Sequence, residues 1–207
     1  MLPIIAGCIY YKKLNVPFRW LFYFLLSCVV FELQARVTKS IFNNNMPGLH
    51  LYTMVQFAAL STVYYYSYQR KVWQQLVFIN GIVAFVVGLI DACYVDGLWH
   101  TNTLSRSYTA VSMIVYTLLY FYQLFQKNTR RYDHADPMVW FAIGVLIFFA
   151  NNFLYFMIRR YLLIHARDAE TFPYYFYLSL NIIAHLLYAR SFKSFGKWKK
   201  ESSSIIS

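Results

Sequence analysis

Charged residues are scarce in this chain of 207 residues: they make up 13% of it, whereas hydrophobic residues make up 59%. An average soluble domain has about 25% charged residues. The scarcity therefore excludes an ordinary soluble domain and predicts a membrane protein. Negatively charged residues are rarer than positively charged ones: the chain has 8 acidic and 19 basic residues. Because the basic residues lie between apolar runs, their excess indicates membrane topology, and no nucleic-acid partner is expected.

Cysteine is also rare. The three cysteines, Cys8, Cys28 and Cys93, lie within or beside apolar segments, and no Cys-x-x-Cys spacing occurs among them. A structural zinc site needs several ligands at close spacing. We therefore interpret the cysteines as small hydrophobic core residues and expect neither a metal nor a cofactor.

Patterns that would indicate an enzyme are missing as well. The last apolar segment, 173–192, has no lysine for a retinal Schiff base. Of the five histidines, His185 alone lies deep inside an apolar segment, since the others lie in loops or at the ends of predicted helices. An intramembrane zinc hydrolase needs more ligands than that. The serines have neither a neighbouring base nor a glycine-rich elbow. We therefore expect no enzymatic activity, and an intramembrane lipid-modifying enzyme is the least favoured of three functions.

Long apolar segments, separated by polar or turn-forming clusters, predict the fold. The segments are 1–11, 17–36, 47–68, 72–95, 104–126, 137–162 and 173–192. A membrane-spanning helix needs about 20 residues, so the first segment, about 17 Å long, is either a half-span or continues upstream of the sequence. We predict an all-α, seven-helix polytopic bundle, with a transmembrane domain at 1–195 and a disordered cytoplasmic tail at 196–207.

The basic residues also predict an orientation. Thirteen of the 19 lysines and arginines fall on one side of the predicted bundle and six on the other. The positive-inside rule places the richer side in the cytoplasm. We expect a protein of the bacterial inner membrane with its N-terminus outside and its C-terminus in the cytoplasm.

A weak internal repeat accompanies this topology. Pro17-x-x-Trp20 opens the second segment and Pro137-x-x-Trp140 opens the sixth, with Glu32 and Asn152 each fifteen residues after the proline. Two three-helix units joined by a linking helix would form a parallel 3+1+3 repeat.

Eight polar residues inside or at the ends of the apolar segments form the predicted ligand-binding site. They are Glu32, Arg36, Gln56, Asp91, Asn151, Asn152, Asn181 and His185. At a rise of 1.5 Å per residue, most of them lie in the outer half of the membrane. The sequence therefore predicts a polar cavity that opens outward.

The spacing of these residues leaves their roles open. Glu32 and Arg36 share a helix face, so they either form a local ion pair or leave Glu32 to bind a cationic or hydroxyl-bearing ligand or a proton. His185 could make a packing hydrogen bond to Glu32, Asn152 or Gln56, or it could titrate. At least one of Asn151 and Asn152 is expected to join two helices by a hydrogen bond.

The chain resembles a group of seven-helix integral membrane proteins of Bacteroidetes-type bacteria. The resemblance rests on Phe31-Glu32, on the asparagines at 43–45 followed by His50-Leu51-Tyr52-Thr53 and Gln56-Phe57, and on Pro137-x-x-Trp140-Phe-Ala-Ile-Gly144. Members often carry Glu at the position of Gln56. The resemblance implies the fold and no activity, and similar helical modules are regarded as sensor halves of signalling proteins.

Two functions remain after these exclusions. The first is a membrane sensor or interaction module that recognises a small molecule or a membrane-protein partner through the outer cavity. The second is a small-solute or proton-coupled transporter, which needs polar residues toward both membrane faces; Asn80 is the strongest candidate in the inner half. The sequence leaves the ligand and the oligomeric state open.

Overall fold

The chain folds into seven α-helices in the computed structural model, which describes residues 2–126, 136–165 and 171–204, with side chains at 2–126, 136–155 and 173–195. The helices are α1 (Leu2–Tyr10), α2 (Val16–Phe42), α3 (Met46–Ser67), α4 (Lys71–Ile90), α5 (Thr103–Gln126), α6 (Pro137–His165) and α7 (Thr171–Ser204). A 3-10 turn, Tyr11–Lys13, follows α1, and a π-helical turn, Asp91–Val95, continues α4. No strand occurs in these described ranges. The prediction of an all-α, seven-helix protein is confirmed.

Four helical stretches of the described part are long and apolar enough to cross a membrane. They are Val16–Phe42, Lys71–Val95, Thr103–Gln126 and Pro137–Tyr155. The second is the most apolar, with a mean hydropathy of 2.3, and only 17% of its apolar window is buried. α3 does not belong to this set: it carries polar residues and buries nine of its side chains. These features indicate a membrane protein, in which α4 is largely exposed and α3 is largely buried.

The starts of α2 and α6 share one local design. Asn15 accepts a hydrogen bond from the backbone N–H of Phe18 at 3.3 Å, and Asp136 accepts one from that of Met138 at 2.8 Å. A proline follows each cap within the first helical turn, where its missing N–H costs nothing. The two Pro-x-x-Trp sequences therefore begin two helices in the same way.

The contacts group the chain into two compact units. Unit 1 comprises Met1–Lys13 and Met113–Ser207, and unit 2 comprises Leu14–Ser112. In unit 2, α2 packs on α3 and α3 packs on α4; in unit 1, both α6 and α1 pack on α7. The sequence predicts a single domain over 1–195 and does not reveal this division.

The helix order in the two units bears on the predicted repeat. α2 with α3, and α6 with α7, are the expected equivalent pairs. In unit 1, α1 packs on α7. In unit 2, the first part of α5 makes the corresponding contact with α3: the ring centroids of Tyr108 and Phe57 are 6.4 Å apart. This contact order is compatible with the repeat, which stays a prediction.

The short first helix packs as a partial span. α1 has nine residues and buries Pro3 and Gly7. At 1.5 Å per residue, it covers less than half of a hydrocarbon core about 30 Å thick. Over these nine residues α1 packs on α7.

Two predictions differ from the structure. The predicted tail from residue 196 continues as helix, since α7 extends over 34 residues to Ser204; lysine and glutamate there are good helix formers. The interpretation of all three cysteines as core residues is wrong for Cys8 and Cys93, which are exposed. Both lie in apolar segments, where composition does not distinguish a lipid-facing side from a core-facing one.

Candidate functional site

A groove of about 570 Å³ lies in unit 2 between α3, α4 and the start of α5. We call it the α3–α4–α5 groove. Its lining residues are Thr53, Met54, Phe57, Ala58, Ser61, Thr62, Tyr65, Tyr66, Val77, Phe78, Gly81, Ile82, Ala84, Phe85, Gly88, Ser105 and Thr109. None of them is charged, and most of the lining is apolar. The groove therefore suits a neutral, largely apolar molecule.

Small residues create the space. A methyl group added to Gly81 would meet no atom within 4 Å, so this glycine borders open volume. The equivalent group on Gly88 would lie 2.6 Å from the Cε atom of Met54, so the helices approach closely there. α4 thus touches α3 near one end of the groove and leaves room along the rest.

The groove is elongated and opens sideways. Its lining extends from Thr53 to Tyr66 along α3, a rise of about 20 Å. Phe78, Ile82 and Phe85 form its rim on α4 and are 66%, 55% and 56% exposed. The rim is therefore an exposed apolar surface on the most apolar of the candidate spans.

The groove wall includes a buried hydroxyl, that of Ser61, without a hydrogen-bond partner. Thr53 and Thr62 donate their hydroxyls to backbone carbonyls one turn earlier in α3, at 3.0 and 2.7 Å. Ser61 is 6% exposed, and its Oγ makes no hydrogen bond. An unsatisfied buried hydroxyl costs about 1–3 kcal/mol.

A buried carboxylate fixes one end of the groove. Asp91, fully buried, accepts hydrogen bonds through Oδ2 from the backbone N–H of Ser105 at 2.8 Å and from its hydroxyl at 2.5 Å. Asp96 accepts one from the N–H of Thr103 at 2.6 Å. The two carboxylates thus cap the first turn of α5, where free N–H groups and the helix dipole favour negative charge.

Further polar contacts tie α3 to the loop before α5. Asn102 donates to the Thr53 hydroxyl at 2.6 Å and to the Leu49 carbonyl at 3.3 Å. The Nε2 atom of His50 lies 3.2 Å from the carbonyl oxygen of His100. Asp91 Oδ1, Asn102 Oδ1 and His50 Nδ1 are buried without a partner. Thr53 thus belongs to this polar cluster as well as to the groove, as Ser105 does.

Asn80 makes a second polar connection between α4 and α5. It accepts a hydrogen bond from the hydroxyl of Tyr108 and donates one to the hydroxyl of Ser112 at 3.1 Å. Asn80 lies about halfway along α4. Polar contacts between α4 and α5 therefore extend past the first turn of α5 to Tyr108 and Ser112.

None of the eight predicted site residues lines the groove. Glu32 and Arg36 form the predicted local ion pair, with 2.9 Å between Arg36 Nη2 and Glu32 Oε1. Their side chains are 63% and 74% exposed on α2. Gln56 is buried in α3 at 7% exposure. Asp91, as described above, caps α5.

The other four predicted residues make contacts within α6 and α7. Asn151 donates to the carbonyl of Tyr177 at 3.0 Å, and Asn152 accepts from the Tyr177 hydroxyl at 3.3 Å. The expectation of a hydrogen bond between helices is thus confirmed. His185 Nδ1 bonds to the Asn181 carbonyl of its own helix at 2.7 Å, and not to another helix, because that carbonyl lies one turn before it. Glu32 with Arg36, the two asparagines with Tyr177, and His185 with Asn181 thus form separate local contacts.

The groove residues that sequence reasoning missed are small or weakly polar. Serines such as Ser61 and Ser105 are common in membrane helices and belong to no sequence motif here. The recurrence of Gly81 and Gly88 seven residues apart places both on one face of α4, and this was the available signal.

Other ligand chemistry finds no support in the described ranges. No group of three or more His, Cys, Asp or Glu residues there is arranged to hold a metal ion. No protein family, curated protein or solved structure matches the chain.

Proposed function

We propose that the protein is a multi-pass membrane receptor, a sensor or interaction module, whose ligand enters the α3–α4–α5 groove from the bilayer. The observation that carries the proposal is the groove itself, which is elongated, has no charged lining residue and is mostly apolar, with the buried hydroxyl of Ser61 in its wall. The groove volume of about 570 Å³ falls within the range of small-molecule sites, about 300–1,000 Å³.

The lining defines the class of ligand. With no charged side chain in the wall, a charged group would enter without a counter-ion, which is costly in a low-dielectric site. The length of the groove favours an extended hydrocarbon chain, and Ser61 favours a hydroxyl or carbonyl group on it. The proposed ligand is a neutral single-chain amphiphile, such as a long-chain alcohol or ester.

The polar cluster supplies a route from binding to a response. Ser105 lines the groove and donates its hydroxyl to Asp91. A ligand that displaces Ser105 would therefore shift the start of α5 relative to Asp91. The basic-residue distribution supports an orientation with the N-terminus outside the bacterial inner membrane. In that orientation the end of the groove next to Asp91 and Ser105 faces outward.

Photolabelling tests the proposal. The purified protein in liposomes is exposed to a long-chain alcohol that carries a diazirine, and the labelled peptides are mapped. We expect labels on α3 and α4, their loss in Gly81→Leu, which fills the groove, and weaker labelling in Ser61→Ala. Val83→Leu, which enlarges an exposed residue of α4 outside the lining, is the control. Equal labelling of Gly81→Leu and Val83→Leu would rule the groove out.

A transporter is the second candidate, and Asn80 is the observation that favours it. The Asn80–Tyr108–Ser112 contacts continue polar side chains along α4 and α5 away from the Asp91 cluster. Proteoliposomes loaded with a pH-sensitive dye distinguish the two functions. Proton flux that Asn80→Leu abolishes would favour the transporter, whereas the receptor predicts no flux above that of empty liposomes.

A further inference from the structure

α6 and α7 pack side by side in opposite directions. Asn151 of α6 donates to the carbonyl of Tyr177 in α7 at 3.0 Å, and the guanidinium of Arg190 lies 4.1 Å from the ring centroid of Trp140. From the first contact to the second, α6 runs back from 151 to 140 while α7 advances from 177 to 190. These contacts give each residue of α7 a level along α6.

α7 extends beyond the start of α6. The candidate span of α6 begins at Pro137, three residues before Trp140. The matching level on α7 lies three residues after Arg190, at Lys193. From there the helix continues to Ser204, a rise of about 16 Å. The headgroup layer on each side of a bilayer is about 5–8 Å thick, so this extension crosses it.

One face of α7 changes from apolar to basic along its length. Ile182 and Leu186, which are exposed, lie on this face. Lys193, also exposed, follows Leu186 by two helical turns, and Lys197 and Lys200 continue the face at spacings of four and three residues. We call Lys193, Lys197 and Lys200 the basic stripe. It begins at the level where α6 begins.

The basic stripe lies opposite the packed face of the helix. The buried residues of α7 near it are Tyr188, Ser191, Phe192 and Phe195. At 3.6 residues per turn, the mean direction of these four positions is about 160° from that of the stripe. The stripe is therefore on the outer side of α7, in line with the exposed apolar residues.

Positive charge is in large excess on this part of α7. From 190 to 204, five residues are basic and one, Glu201, is acidic. A basic residue near an anionic membrane surface contributes about 1 kcal/mol of attraction, which falls off within a Debye length of about 8 Å. Lys200 is about 10 Å along the helix from Lys193, and so within that distance of the headgroup layer.

We propose that the basic stripe binds the headgroups of anionic phospholipids in the adjoining leaflet. Two observations identify lipid as the occupant: the stripe continues the line of exposed apolar residues, and it begins level with the start of the candidate span. A soluble acidic partner would need neither. The acyl chains lie along Ile182 and Leu186, and the phosphate lies beside the lysines. This surface belongs to unit 1 and does not depend on the ligand groove of unit 2.

Native mass spectrometry with two competing lipids tests the proposal. The full-length protein in detergent is incubated with equal amounts of phosphatidylglycerol and phosphatidylcholine that have the same acyl chains, and the ratio of the retained lipids is measured. We expect the wild type to retain more phosphatidylglycerol. Lys193→Gln/Lys197→Gln should lower the ratio at least tenfold, since about 1 kcal/mol per lysine corresponds to about fivefold for each.

Two further double variants are the controls. Lys39→Gln/Lys71→Gln removes the same charge from exposed lysines of α2 and α4 and should change the ratio less than twofold. Lys193→Arg/Lys197→Arg keeps the charge and should keep the wild-type ratio. Equal retention of the two lipids by the wild type, an equal decrease in the two glutamine variants, or loss of the preference in the arginine variant would overturn the proposal.

Discussion

Asp91 and Ser105 are joined twice: one carboxylate oxygen accepts both the backbone N–H of Ser105, at 2.8 Å, and its hydroxyl, at 2.5 Å. The contact connects the π-helical turn after α4 to the first turn of α5. Ser105 also lines the groove, so the contact lies at one end of it. The carboxylate thus has a structural reason to be buried, as a cap.

The first prediction concerns this cap. Asp91→Ala leaves the N–H and hydroxyl of Ser105 without their acceptor, so the free energy of unfolding should fall by about 1–3 kcal/mol. Thermal or denaturant unfolding in detergent measures the loss. Ser105→Ala and the double variant complete the cycle, and the double loss should be smaller than the sum of the single losses. Strictly additive losses would show that the two side chains do not interact.

The second prediction compares two glycines in helices. A methyl group on Gly144 would lie 2.8 Å from Cε1 of Tyr188, a ring that is 2% exposed, and 3.3 Å from the Ala184 carbonyl. Gly144→Ala should therefore force α6 from α7 and destabilise the protein by about 1–3 kcal/mol. Gly81→Ala meets open space and should be neutral or stabilising by up to about 1 kcal/mol. Unfolding curves that rank the two the other way would contradict the packing of α6 on α7.

The third prediction concerns the α6–α7 hydrogen bond. Asn151, at 5% exposure, donates to the Tyr177 carbonyl, and Asn151→Leu removes that bond in an apolar environment. Such bonds contribute about 0.6 kcal/mol on average in membrane helices, with a maximum of about 1.7 kcal/mol. We expect a loss in that range by unfolding in detergent. Phe176→Leu, an exposed change on α7, is the control, and an equal loss there would argue against a specific bond.

The helices were predictable because their signals are local. Pro17, Pro137 and the Asp96-Gly97 turn limit apolar runs of spanning length, and the ion pair of Glu32 with Arg36 follows from a spacing of four residues. The cap of α5 by Asp91 was not predictable, because Ser105 lies fourteen residues away across a loop of undetermined path. The eight-residue ligand-binding site was predicted from residues that lie at similar depths in the membrane. Similar depth does not bring side chains together, because it says nothing about the direction in which each side chain points.

The groove and the packing of α1 on α7 could not be predicted from the sequence, for a related reason. The groove depends on how far α4 is rotated about its axis, which places Gly81 and Gly88 in the groove lining. In an apolar helix with residues exposed all round, hydropathy does not fix that rotation. α1 lacks any marker of its partner, since its nine residues are uniformly apolar.

Native mass spectrometry of the purified protein tests the central claim most directly. Released from detergent after incubation with a neutral long-chain alcohol, the wild type and Val83→Leu should each retain one molecule of the alcohol per chain. Gly81→Leu, with the groove filled, should retain none at the same concentration. Equal retention by Gly81→Leu and the wild type would contradict the assignment of the α3–α4–α5 groove as the ligand site.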